Sequence, residues 1–341
     1  HTGFKGAWMS LWLHQLGAKV YGYSDEYVEN SMYKTCKLSE LFTGETFADI
    51  ADYQNFNEVM NGFKPDIVFH LAAQAIVSES YENPFDTIKT NTLGFASVLE
   101  SARKLNQKCT LVLISTDKCY FNNEWYWGYK ETDVLGGKDP YSGSKAAAEI
   151  IFNSYFESFF KKQDLVRISS VRAGNVIGGG DWSKNRLVPD IFRAYNANDE
   201  MTIRMPGAVR PWQFVLEPLL GYLITAVQLD EDEKLNGESF NFGPFAENAV
   251  SVKDLIAKIN KNLPHPVKVN LGESTFKEAT YLKLLIDKAN HVLGWYPQLN
   301  IDETIAFTSD WYLKDRTEKN MRGFSELQIQ KYQSKAFGDS E

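Results

Sequence analysis

The chain has 341 residues, with 36 Lys and Arg against 44 Asp and Glu for a formal charge of −8, and no basic run, which argues against a nucleic acid or an anionic membrane surface as principal partner. The length suffices for a nucleotide-binding domain and a smaller lobe, and no apolar stretch reaches membrane-span length. The first residues lack the pattern of a secretory leader, and Cys36, Cys109 and Cys119, odd in number and without metal-like spacing, suit a reducing compartment; the expectation is a cytoplasmic protein acting on small molecules.

The opening, "HTGFKG", sets Gly3 and Gly6 directly ahead of Ala7, Trp8, Leu11, Trp12 and Leu16, which recur at helical spacing. A glycine turn feeding a helix lets the backbone approach a pyrophosphate and points free N–H groups at it, although two glycines so spaced also open ordinary helices. Gly17 is placed as the C-terminal cap, and "KVYGY" reads as a strand. "TFADIA" and "DIVFHLAA" read as further strands flanking a helix through Phe56, Val59, Met60 and Phe63, the alternation of βαβ units on a parallel sheet. Asn83 and Pro84 form a helix start, with the apolar spacing continuing to about Leu105. "CTLVLISTD" re-enters the sheet, Tyr141 to Phe160 reads as a long helix, and "LVRISSVRAGNVIG" as a strand leaving through a glycine-rich loop. By about Gly180 this pattern is used up, which sets residues 1–180 apart from 181–341. The second part alternates helices (Leu187 to Ala197, Leu216 to Leu229, Val252 to Leu263) with strands "MTIRM", "SFNFG", "VKVNL" and "YLKLLI", and Ser251 with Asp254 is a capping-box-like start. From about Thr317 the chain is polar and is expected to be a loosely held tail.

"YSGSK", Tyr141 to Lys145, stands at the start of a helix, downstream of "STD", Ser115 to Asp117, at the end of a strand. A Tyr and a Lys one helical turn apart share a face, so the ammonium can lower the phenol pKa while the phenolate takes a proton, with a hydroxyl of Ser115 or Thr116 sharing its path. Alone, Tyr-x-x-x-Lys is commonly a solvated pair; the glycine turn and the strand-end hydroxyls give it its meaning.

With these motifs the chain resembles the extended short-chain dehydrogenase/reductase family. "LAAQAIVSESYENP", "STDKCY", "DPYSGSK", "RAGNVIGGGDW", "RPWQFVLEP" and "HVLGWYP" sharpen the resemblance to its branch of nucleotide-sugar 4,6-dehydratases acting on CDP-glucose. The resemblance implies an α/β fold: a Rossmann doubly wound parallel sheet binding NAD over 1–180, and a smaller C-terminal α/β domain binding the nucleotide sugar over 181–341, some segments of which return to the first domain. The family turn reads Gly-x-x-Gly-x-x-Gly after a buried strand. Gly3 and Gly6 match its second and third glycines, so a further strand of roughly ten residues or more is expected ahead of His1 in the native gene product.

Carried over residue by residue, the resemblance makes Tyr141, activated by Lys145, the base for the C4 hydroxyl as its C4 hydride passes to NAD. Water then leaves across C5 and C6 and the hydride returns to C6, giving a 4-keto-6-deoxy sugar of the kind found in bacterial surface polysaccharides such as the O-antigen of lipopolysaccharide. Thr116 and Ser115 would share the proton path, Asp117 would be the acid and Lys118 the base of elimination, a dry pocket keeping the first protonated and the second neutral; an Asp and a Lys at a strand end are otherwise ordinary. Gly3, Phe4, Lys5 and Gly6 would lie along the NAD pyrophosphate, Asp49 and Ile50 by the adenine, and Ala72, Ala73 and Gln74 along the nicotinamide side; Leu71, Asn91, Ser115, Tyr141 and Lys145 would bind the cofactor as well. Asp25 sits where a ribose-binding acid could follow a strand, or is a plain turn residue.

For the sugar nucleotide, Asn175 resembles a diphosphate contact, Arg186 and Arg210 are candidate phosphate clamps, and Ser78 and Tyr81 could line the glucose pocket. Phe214 follows "RPWQ" where many relatives have His, a change expected to alter the pocket. The family implies a dimer through helices 84–104 and 141–161, with Phe152, Tyr155 and Phe159 outward. His1, His14, His70, His265 and His291 make no pair at metal-ligand spacing, and no metal is expected.

Overall fold

The computed structural model describes residues 1–203, 205–245, 249–272 and 282–338. Helix α1 (Phe4–Gln15) starts at the glycine turn and ends where Gly17, at φ +82°, donates to His14 O while Ala18 donates to Leu13 O, a left-handed cap that a side chain would strain. There follow β1 (Tyr21–Ser24), α2 (Met32–Thr35), β2 (Gly44–Phe47), α3 (Tyr53–Phe63) and β3 (Ile67–His70). Next come α4 (Val77–Glu82), α5 (Pro84–Ile88), a π-helical turn (Lys89–Leu93), α6 (Gly94–Arg103), β4 (Cys109–Thr116), α7 (Pro140–Ser158) and β5 (Val166–Ala173). The second half runs β6 (Val176–Ile177), α8 (Leu187–Ala197), β7 (Glu200–Ile203), β8 (Val209–Pro211), β9 (Gln213–Phe214), α9 (Leu216–Glu231), β10 (Ser239–Phe242), β11 (Ala249–Ser251), α10 (Val252–Lys261) and β12 (Lys268–Leu271). It closes with α11 (Asp287–Leu293), α12 (Ile301–Lys314) and α13 (Met321–Phe337).

Strands β3, β4, β5 and β10 form a parallel sheet in the order β10-β5-β4-β3, and β1 with β2 forms a separate parallel pair. The first residues pack against that pair: Thr2 Oγ1 lies 2.8 Å from Ser24 Oγ, and a Cβ on Gly22 would fall 2.5 Å from the His1 ring. All eight residues of β4 are buried, because helices cover both sheet faces, and the two-residue period of a strand divides them. Val112 and Ile114 join a cluster with Trp8, Leu219, Tyr222 and Phe242, whereas Leu111 and Leu113 join Phe56, Phe95, Val98 and Phe152. The first cluster runs on through α12 and α13 to Tyr332, so one apolar core crosses the position near Gly180 where the sequence pattern changes.

Four expectations fail for physical reasons. The tail is not loose: α13 buries Met321, Ser325, Gln328, Ile329 and Tyr332 along one stripe, with Ser325 Oγ accepting from Trp311 Nε1 at 2.8 Å. "YLKLLI" forms no strand over its described residues; Leu284 makes one bridge to Tyr129. Phe152 points inward at 0% exposure, since α7 packs apolar residues on the sheet. Phe214 is likewise fully buried between Trp8 and Phe307, so it belongs to the core rather than to an exposed pocket wall. Arg204 and Tyr281, within two of the expected strands, lie outside the described residues.

Candidate active site

The C-terminal ends of β3, β4 and β5 and the N-termini of α1 and α7 converge, the place where open parallel sheets bind ligands. β4 ends in Thr116, whose Oγ1 caps a short 3-10 turn (Asp117–Cys119) by accepting from Lys118 N at 3.4 Å. Thr116 Oγ1 donates to Asp117 Oδ1 at 2.9 Å, and Lys118 Nζ lies 3.4 Å from the same oxygen. Asp117 is 1% exposed and its Oδ2 has no hydrogen-bond partner, whereas the Lys118 side chain keeps 35% exposure. Gly174, just after β5, makes this carboxylate possible, since a Cβ there would sit 2.2 Å from Asp117 Oδ2.

α7 begins with Asp139 as N-cap and Pro140 in its first turn. Asp139 and Ser142 form a capping box, Ser142 N donating to Asp139 Oδ1 at 2.9 Å. That fixes Tyr141 and Lys145 one turn apart at the pocket, both 6% exposed. Burial pushes the Tyr141 phenol up to about 12, a neighbouring Thr116 hydroxyl pulls it down, Asp117 pushes it further up, and Arg186 pulls it down. Burial lowers Lys145 to about 8, opposed by Glu149. These groups thus occupy one low-dielectric pocket in which protonation responds to small changes of charge.

Lys5 divides between two places. Its N–H belongs to the first turn of α1, but its side chain enters the pocket, with Nζ 3.3 Å from Tyr222 OH. Burial lowers its pKa to about 7, helped by the charges of Lys145 and Arg186. Sequence reading placed Lys5 along the pyrophosphate and missed Tyr222; the basic residue between Phe4 and Gly6 was the available signal. Arg186 Nη1 bonds Asp181 Oδ2 at 3.0 Å, which holds the guanidinium at the pocket.

The glycine turn fits the pyrophosphate of a dinucleotide. Gly3 is the N-cap of α1 with no side-chain cap, the first turn carries no acidic residue, and a Cβ on Gly3 would meet no protein atom within 4 Å. Its glycine therefore answers to no contact within the protein, and the first-turn N–H groups lack intrahelical partners. Gly6 does serve packing, since a Cβ there would lie 3.0 Å from His1 Cα. Phe4 opens the helix, half-buried.

The remaining expected residues fall into three groups. Leu71, Ala72, Ala73 and Gln74 form the half-buried loop after β3. Asn91, 2% exposed in the π-helical turn, braces that loop: its Oδ1 accepts from Gln74 N at 2.9 Å, and its Nδ2 donates to Gln74 O at 3.0 Å and Ser144 Oγ at 2.9 Å. Its side-chain N–H groups are thus spent on the protein, and it ties the loop to the residue before Lys145. Ser115 is buried at the end of β4. Ile50 packs on Gly94, and Asp49 accepts from Ala51 N at 2.8 Å and pairs with Lys89 Nζ at 2.6 Å, the Lys89 contact holding its carboxyl below the usual range. Asp25, after β1, accepts from Glu26 N at 2.9 Å as a turn residue does.

Asn175 takes φ +50° and leaves a buried Oδ1 without a partner, the kind of orphan a ligand satisfies. Ser78 Oγ lies 3.3 Å from Asn185 Nδ2. Tyr81, on α4, is close enough to Asp139 for that carboxylate to add to the desolvation raising its phenol pKa. Arg210 lies on β8, in an antiparallel ribbon with β11, its Nη1 donating to Val209 O at 3.1 Å. Among the described residues, no cluster of three His, Cys, Asp or Glu side chains is placed to hold a metal.

A glycine turn on a parallel α/β sheet, with a strand-end Thr beside a buried Tyr-x-x-x-Lys pair, defines an extended short-chain dehydrogenase/reductase. The chain belongs to the family whose model, described as GDP-mannose 4,6 dehydratase, matches residues 1–308. It is 42% identical to the CDP-glucose 4,6-dehydratase of Salmonella typhimurium over 98% of this chain and 94% of that protein. A dTDP-glucose 4,6-dehydratase of Xanthomonas campestris pv. campestris is 24% identical over 79% of this chain and 78% of that one. Among solved structures, the UDP-glucuronic acid 4-epimerase of Bacillus cereus in complex with UDP-glucuronic acid and NAD superposes with a TM-score of 0.78 at 19% identity, covering 92% of this chain and 97% of that one; the likeness is one of fold.

Proposed function

We propose that this protein dehydrates CDP-glucose to CDP-4-keto-6-deoxyglucose, with residues 1–180 holding NAD and residues from 181 onward supplying most of the nucleotide-sugar site. The observation that carries the reading is Asp117: a buried carboxyl, bonded by Thr116 Oγ1 and Lys118 Nζ, in the same pocket as Tyr141 and Lys145. A C4 epimerisation needs the Tyr and Lys but no second acid and base. An elimination does.

When bound, NAD would supply a hydride acceptor that later gives the hydride back. Gly3, Phe4, Lys5 and Gly6 would hold its pyrophosphate through their backbone, with Asp49 and Ile50 toward the adenine and the 71–74 loop braced by Asn91 toward the nicotinamide. Tyr141, with Lys145 stabilising its phenolate, removes the C4 hydroxyl proton as C4 becomes a carbonyl. The ketone acidifies C5–H, and Lys118 Nζ, on the exposed side of Asp117, takes that proton. Asp117 protonates the departing C6 hydroxyl, so that water leaves, and Lys118 returns its proton to C5 as C6 is reduced; Tyr141 then gives up the proton it took from the C4 hydroxyl while Asp117 regains one, which restores the site. Asn175, Arg186 and Arg210 would bind the diphosphate, and Ser78 and Tyr81 the sugar. Asn175 would reach the diphosphate through its amide nitrogen, which donates, and its buried Oδ1, without a partner in the protein, would accept from a hydroxyl of the ligand.

The chain would act in the cytoplasm, where a nucleotide sugar is made, in deoxysugar synthesis for surface polysaccharides; no helix among the described residues is long and apolar enough to cross a membrane. A homodimer is supported by exposed Phe85, Ile88 and Leu93 on the 84–104 helix and by Ile150 and Phe159 on or just after α7, and is tested by sedimentation of the parental chain and Phe85→Glu. The function is tested by supplying NAD with CDP-glucose, dTDP-glucose, GDP-mannose and UDP-glucose separately. A product lighter by one water from CDP-glucose alone supports the reading. The same product from another nucleotide overturns the cytidine assignment, and epimerised product or none overturns the dehydratase.

A further inference from the structure

One helical turn beyond Lys145, α7 carries Glu149 at 0% exposure, and opposite it β5 carries Arg172 at 2%. Arg172 Nε and Nη2 reach Glu149 Oε1 and Oε2 at 2.9 and 2.8 Å, and Ser170 Oγ donates to Oε1 at 2.7 Å. Burying two charges is expensive, and apolar residues of similar volume commonly serve stability as well or better. The free side of the guanidinium shows where this pair leads. Arg172 Nη1 donates to Tyr120 OH at 2.7 Å and to Glu131 O at 3.1 Å, and Tyr120 OH donates to Asn241 Oδ1 at 2.8 Å. Tyr120 directly follows the turn that carries Asp117 and Lys118.

We propose that Glu149, clamped by Arg172, is a positioning residue that acts as the buried counter-ion of Lys145 while Arg172, through Tyr120, fixes the Asp117–Lys118 turn. One ion pair thereby serves both the oxidation and the elimination. The inference rests on the catalytic roles given above to Lys145, Asp117 and Lys118. Lys145 has few other anions to draw on. From α1 it faces Lys5, whose pKa burial lowers and which carries no negative charge in either form, from β3 His70, which burial holds neutral, and from the 3-10 turn the Cys119 thiol, whose pKa burial raises. Glu149 itself faces Arg172 and Ser170 from β5 and Ser115 from β4, all of which favour its charged form. Of these groups only Glu149 combines a stable negative charge with a place on Lys145's own helix face.

The test titrates Lys145 in the full chain, without substrate, from the Cε resonance of carbon-13-labelled lysine, assigned with Lys145→Arg. Glu149→Gln alone leaves Arg172 buried and unpaired, so the informative variant is E149Q/R172M, which removes both charges. The Lys145 midpoint is expected near 8 in the parental protein and about one pH unit or more lower in the double variant, with the acid limb of the pH–rate profile for C4 oxidation moved alkaline and KM little changed. Tyr120→Phe should leave that midpoint in place but slow elimination relative to oxidation. A folded double variant with the parental midpoint overturns the proposal. If the double variant does not fold, Glu149→Asp, which keeps the charges but draws the carboxylate back, should shift the midpoint in the same direction by less, and no shift overturns the proposal. Loss of turnover on every nucleotide sugar by the parental chain would count against the reaction while leaving the Lys145 comparison able to decide on the ion pair.

Discussion

Gly174→Ala isolates the elimination step. The added Cβ would sit 2.2 Å from Asp117 Oδ2 and 2.4 Å from its Cγ, where ordinary contact begins at 3.4 Å; the carboxylate must therefore retreat by about 1 Å. Its φ is not in the left-handed region, so the substitution acts through this contact and not through backbone strain. Retreat stretches the bonds to Thr116 Oγ1 and Lys118 Nζ, and a displacement of about 1 Å at a reacting group costs on the order of 100-fold in rate. Tyr141 and Lys145, held by the capping box of α7, are not pushed. Single turnover on CDP-glucose should then show C4 oxidation, read as reduced cofactor at 340 nm, within about threefold of parental, with release of the 4-keto-6-deoxy product slowed roughly 100-fold and the reduced cofactor persisting. Equal slowing of both phases, or unchanged product release in a folded variant, would refute the assignment of Asp117 to elimination.

Gly3→Ala should leave the melting temperature without NAD unchanged, since its Cβ meets no protein atom within 4 Å, yet weaken NAD about tenfold or more in a fluorescence titration, because the methyl enters the anion's path; an unchanged Kd would remove the turn from the cofactor site. Asn91→Ala deletes the three bonds that tie the 71–74 loop to α7, and about 1.4 kcal/mol of lost bracing should appear as a roughly tenfold higher Kd for NAD, with no gain in Kd counting against the brace. Glu217 is buried on α9, accepting from Gln298 N, Leu299 N and Tyr332 OH, and burial raises its pKa to about 7. A carboxyl with a folded pKa above its unfolded value stabilises most below the unfolded pKa and loses that contribution as pH rises through the folded one. The melting temperature of the parental protein should therefore fall relative to Glu217→Gln between about pH 4.5 and 7, and a constant difference across that window would show that Glu217 does not titrate there.

What could be read in the sequence was what is local along the chain. The turn at Gly3, the cap at Gly17, the run Cys109–Thr116 and the helix read from Tyr141 each carry their cause within a few residues, and "YSGSK" places Tyr141 and Lys145 on one face by helical geometry alone. α13 escaped because its buried stripe includes Ser325, which accepts from Trp311 Nε1, and Gln328, whose Nε2 donates to Phe307 O; polar residues whose partners lie on another helix look like a solvated tail. The same limit governs the site. Asp117 depends on the bareness of Gly174, Lys145 stands one turn from a carboxylate whose arginine comes from β5, and Lys5 meets Tyr222 across 217 positions. Each is a tertiary contact with no periodicity to announce it. The one sequence trace such contacts leave is a charge at a position whose pattern calls for an apolar residue, as with Arg172 in "LVRISSVRA", Glu149 within α7 and Lys5 in the glycine turn. In a chain that buries so few charges, those exceptions are where the protonation state of the pocket is set.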